Sequence, residues 1–155
     1  AVRPKSGIQK KTDAEDNKKK PQRLLLTWLV EEPAVYPKIK KYISPRDFTE
    51  DLYKKIAEKL FQGLEEGRVE PAALVNLFED EQQQREAALV FNTKIAQLSS
   101  RTEQEKAFHD IVVAVKRNSL EYFGSLMGAD MSALNQVIEG KKALEELSKT
   151  HISLD

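Results

Sequence analysis

The sequence predicts an all-α protein: a compact bundle of five or six helices followed by a long C-terminal helical hairpin. Apolar residues recur at three- and four-residue spacing, no segment alternates as a strand would, and Pro, Gly and capping residues stand where helices should start or stop. Leu24, Leu25, Trp28 and Leu29 make the first helical repeat, expected over Leu24–Glu31, and Glu32-Pro33 interrupts it. A shorter, broken helix follows over Pro33–Ile43. Ser44-Pro45 reads as an N-cap with Pro at the first helical position, opening one turn to Phe48. Thr49 then opens a longer helix. Its Glu50 and Asp51 suit the positive end of the helix dipole, Leu52, Ile56, Leu60 and Leu64 share an apolar face, and Gly67 stops it.

Pro71 starts the next helix, with Leu74, Val75, Leu77 and Phe78 as its expected buried face. Asp80 and Gln83 form a capping pair for the helix after it, which carries Ala87, Ala88, Phe91, Ile95 and Leu98 on one side until Ser99-Ser100. Thr102-Glu103-Gln104-Glu105 has the form of a capping box. Behind it Phe108, Ile111, Val112, Val115, Tyr122 and Leu126 extend an apolar face over roughly 25 residues, an arm of about 37 Å. Gly128 ends that arm, and Asp130 or Ser132 caps the last helix. Its stripe of Leu134, Val137, Ile138, Leu144 and Leu147 contains Gly140 and Lys141, so the hairpin is expected to be too poor in apolar surface for a large core of its own.

Charge divides the chain. Residues 1–23 hold eight Lys/Arg against three Asp/Glu, or +5, and residues 24–155 hold 17 against 22, or −5. Residues 1–21, basic and without apolar periodicity, are therefore expected to be a flexible linker ahead of a bundle at 22–100 and a hairpin unit at 101–155. The mildly acidic folded part argues against a DNA-binding surface spread over it, and Lys18-Lys19-Lys20 reads as a solubilising run. There is no Cys, which removes disulfides and thiolate chemistry, and no apolar run approaches the roughly 20 residues of a membrane span. A cytoplasmic protein is expected. A chain opening on Ala1 is expected to be a piece of a longer one.

No catalytic constellation stands out. His109 lies one residue off an apolar face without a second ligand at metal-binding spacing, and His151 sits in the tail. Glu79, Asp80 and Glu81 are consecutive at a helix cap and do not converge on one ion. There is no phosphate-binding loop or nucleophile elbow. Gly124 and Gly128 have membrane-contact spacing but polar neighbours, so they mark a bend or helix end. Trp28, Tyr36, Tyr42, Phe48, Tyr53, Phe61, Phe78, Phe91 and Phe108 lie on apolar faces without an adjoining basic groove and are assigned to the core. No cofactor, metal or enzymatic activity is expected.

The ordered run Leu24-Leu25-x-x-Trp28-Leu29, Pro33, Tyr36, Ile39, Ile43, Pro45-x-Asp47-Phe48 and Tyr53-x-x-Ile56 resembles the start of the C-terminal, helicase-binding domain of bacterial DNA primase. The related N-terminal domain of the replicative helicase shares this pattern. The segment DEQQQREAALVFNTKI at 80–95, Glu105-Lys106-Ala107 and Lys141-Lys142-Ala143-Leu144-x-x-Leu147 are closer to the primase. The resemblance covers about residues 22–155. It implies a non-catalytic docking domain that brings primase to the replicative helicase ring during primer synthesis, monomeric alone and without DNA contacts from its folded part. The alternative it leaves open is a self-associating helicase collar. Leu134, Ile138, Lys141, Lys142, Glu145, Leu147, Lys149, Ile152 and Leu154, apolar and charged residues of a protruding hairpin, are the expected partner contacts.

Overall fold

The computed structural model describes the backbone of residues 6–92, 100–128 and 131–154, with side chains over 17–91, 100–128 and 131–154. These residues form seven helices: α1 (Ser6–Glu31), α2 (Tyr36–Ile39), α3 (Asp51–Glu65), α4 (Pro71–Val75), α5 (Glu81–Asn92), α6 (Arg101–Ser125) and α7 (Met131–Lys149). Single 3-10 turns at Pro33–Val35 and Pro45–Asp47 lead into α2 and the segment before α3. The described residues contain no strand. Ile95, Leu98, Ser99 and Asp130, used in the expectations above, lie outside them.

The first helix begins at Ser6, not Leu24, so most of the expected linker is helical. Lack of apolar periodicity shows only that a segment buries little; it does not forbid a helix, and Lys and Gln are good helix formers. Pro21 sits inside α1 and has no N–H for the carbonyl one turn back. Gln22, fully buried, strengthens the join: its Nε2 donates to Lys18 O (3.1 Å) and Thr49 Oγ1 (3.0 Å), and its Oε1 accepts from Glu50 N (3.3 Å). Thr49 is thus engaged across the fold and does not cap α3, which starts after Glu50.

The end of α3 matches its sequence signal. Gly67 has φ of 75°, the one left-handed residue described, while Gly67 N–H donates to Leu64 O (3.1 Å) and Arg68 N–H to Gly63 O (2.7 Å). These two bonds satisfy carbonyls that the helix end would leave open. A side chain at 67 would be strained there.

One core ties the elements together. Leu25, Leu26, Leu29, Ile39, Ile56 and Leu60 are buried with Phe108, Val112, Val115 and Leu147, so the bundle and the base of the α6–α7 hairpin are not separate units. Trp28 meets Phe108 at 5.1 Å between ring centres, and Phe61 lies edge-on to Tyr36 (5.2 Å) and Phe48 (6.0 Å). The aromatic residues assigned to the core are buried, Phe91 only partly. Burial, with the Glu65 carboxylate 2.7 Å away as acceptor, pushes the Tyr36 hydroxyl up to about 12, so it stays a neutral donor. Leu77 and Tyr122 depart from expectation at 41% and 42% exposed. Leu77 falls beyond the short α4, and Tyr122 lies on α6 past its last fully buried turn.

Candidate protein-docking surface on the hairpin

Ser100, not Thr102, caps α6: its Oγ accepts from Glu103 N–H at 3.1 Å. The capping pattern holds two residues earlier, with Ser100 and Glu103 in the paired positions. Asp80 Oδ2 accepts from Gln83 N–H (3.2 Å), as its spacing predicted. The far end of α6 runs unbroken through Gly124 to Ser125, with turns to Gly128. Ser132 lies inside α7 and does not cap it.

Helices α6 and α7 approach closely because residue 140 has no side chain. A methyl group there would lie 2.5 Å from Leu120 Cδ2 and 3.2 Å from its Cγ. Gly140, an interruption of the apolar stripe in sequence, is the buried position where the hairpin closes. Ala133 and Val137 are also buried, yet they stand apart from the main core and pack within the hairpin.

The base is fastened from several sides. Asp47, almost fully buried, receives Ser44 N–H (2.9 Å), Ser119 Oγ–H (2.7 Å) and Lys116 Nζ (3.1 and 3.3 Å). The carboxylate of the Pro45-x-Asp47-Phe48 motif therefore closes its own turn and clamps α6. Glu146 accepts from Tyr42 Oη (3.2 Å) and pairs with Lys41 (3.6 Å). Residues 150–154 leave α7 as an irregular strap: Leu154 N–H donates to Glu105 Oε2 (2.8 Å), and Lys38 Nζ donates to Ser153 O. That N–H bond, with His151 at 3.1 Å, holds the Glu105 carboxyl below the usual range. His109 Nε2 lies 2.7 Å from Leu147 O and serves packing.

These contacts divide the expected docking residues. Leu147, Ile152 and Leu154 are buried at 0%, 4% and 7% exposure and belong to the core, so they are not surface contacts. They find their partners in the bundle and do not protrude from it. Ile138, Lys141, Lys142, Glu145 and Lys149 are exposed, the last two paired at 3.3 Å, while Leu134 is half-buried. The exposed apolar surface lies nearer the tip: Met131 is 78% exposed, Ile138 45%, Tyr122 and Met127 42% each. Tyr122, Met127 and Met131 were missed. Their signal was available in their position beyond the point where α6 could reach bundle elements.

Among the described residues, no group of His, Cys, Asp or Glu side chains could hold a metal ion, and no helix is long and apolar enough to cross a membrane. Comparison of the chain with protein-family models, curated proteins and solved structures finds no match.

Proposed function

We propose that this chain is a helicase-interaction domain of a bacterial DNA primase, in which the bundle holds out the hairpin and the tip engages the replicative helicase. Two observations support the reading: the ordered sequence resemblance over residues 24–56, and the exposed apolar tip. The tip is the observation that carries it, because Tyr122, Met127, Met131 and Ile138 expose apolar surface, and Lys141 and Lys142 are exposed one turn beyond Ile138 on α7. Such a surface suits a protein partner with an apolar groove and an acidic rim.

Docking would raise the local concentration of primase activity carried elsewhere in the parent protein, so modest affinity at each contact suffices when several copies share one ring. Deleting residues 130–155 would remove Leu147, Ile152 and Leu154 from the core, so substitutions at the tip are the appropriate test. Calorimetry against the N-terminal domain of the replicative helicase should detect binding by the intact chain and at least ~10-fold weaker binding by Met131→Ser/Ile138→Ser, the scale of a lost interface anchor. Equal binding by the two would overturn the tip assignment. A discrete self-assembled ring in light scattering would favour the collar instead.

A further inference from the structure

We propose that the strap at residues 150–154 is a releasable clasp that seats the C-terminal half of α7 on the bundle, opening and closing while the rest of the protein stays folded. It is the only irregular segment among the described residues that follows α7, and it touches two other elements. Ile152 and Leu154 enter the common core, Leu154 N–H reaches Glu105 on α6, and Ser153 O takes the Lys38 ammonium from α2. Thr150 begins the turn away from the helix, its N–H on Leu147 O (3.2 Å) and its hydroxyl on Glu146 O (2.7 Å).

The balance of forces makes this segment separable. Two apolar side chains and a few hydrogen bonds oppose the entropy of ordering an irregular backbone, and the opposing contributions are of similar size. Fastenings of the hairpin to the bundle also lie on α6: Phe108, Val112 and Val115 in the core, and Lys116 and Ser119 on Asp47. None of them depends on the strap. When the strap leaves, α6 remains seated, and the end of α7 is held by Leu147 and the partly buried Ala143, by the His109 contact to Leu147 O, and by the bonds of Glu146 to Tyr42 and Lys41. A short irregular segment that adds two apolar side chains to the core belongs to the low-stability end of a fold, where local opening precedes global unfolding. The clasp thereby bears on how firmly the C-terminal half of α7 is seated, a property independent of the helicase reading.

Hydrogen exchange of the whole chain, followed residue by residue, tests the proposal. Amides of residues 143–154 should exchange together and at least ~10-fold faster than the Val112 amide, as expected for a local opening unit. Glu105→Gln should accelerate that unit by a further several-fold and leave Val112 unchanged. Ile152→Ala/Leu154→Ala should lose helical signal only to the extent of the end of α7. Exchange of residues 143–154 at the rate of Val112, an equal effect of Glu105→Gln on both, or loss of the whole helical signal in the double variant would each overturn the clasp.

Discussion

The base and tip of one helical hairpin follow opposite fates. At the base, Phe108, Val112 and Val115 of α6 and Leu147 of α7 join the core of the bundle, and Asp47 clamps Lys116 and Ser119. At the tip, Ala133 and Val137 are buried between the two helices, while Tyr122, Met127, Met131 and Ile138 remain exposed. The same helical periodicity runs through both halves. The difference lies in how many elements reach each half: a helix pair can hide only the strip facing its partner, and the rest of an apolar face needs a third element. At the base α1 and the Pro45–Asp47 turn supply it. At the tip the described residues leave part of the face open.

The sharpest way to break the contrast is Asp47→Ala. It would leave Lys116 buried without its carboxylate, at a cost of about 3–5 kcal/mol, and should lower Tm by roughly 10 °C in a thermal melt. Leu147→Ala should cost about 2–5 kcal/mol by opening a cavity at the base, read from the denaturant midpoint. Gly140→Leu should cost about 1–3 kcal/mol, because a side chain there drives into Leu120 and parts the helices. Its effect should be visible as increased exchange at Ala133 and Val137.

Within the hairpin, acid should act on the base before the tip. Glu105 has its folded pKa lowered, chiefly by the Leu154 N–H, so its stabilisation is present above the ordinary carboxylate range and fades as pH falls through the lowered value. Moving from neutral pH to below the usual Glu pKa of about 4.3 should therefore loosen the Leu154 amide before the hairpin interface at Ala133 and Val137, followed by amide exchange. The smallest effect on folding is expected at the tip: Met131→Ser/Ile138→Ser should change stability by no more than about 0.5 kcal/mol per site while weakening partner binding. A large loss of stability there would show that the tip packs against something in the fold and would erase the contrast.

Much of the architecture was legible locally. The φ of Gly67, the bond from Gln83 to Asp80 and the burial of the aromatic residues each follow from a residue type at its spacing. What escaped the reading depended on contacts distant in sequence. Gln22 carries no sequence signal for its role, although its amide joins α1 to Thr49 and Glu50. Leu147, Ile152 and Leu154 looked like surplus surface on a protruding arm, although the bundle covers them. Gly140 looked like a gap, although it lets two helices meet.

By itself the sequence determined that the chain is helical, where most helices stop and which faces are apolar, because backbone propensity, capping and the 3.6-residue repeat are local properties. Only the tertiary structure decided which part of each apolar face is core and which is surface. That depends on whether another element, remote along the chain, arrives to exclude water from it, and on the hairpin such an element arrives at the base and not at the described tip.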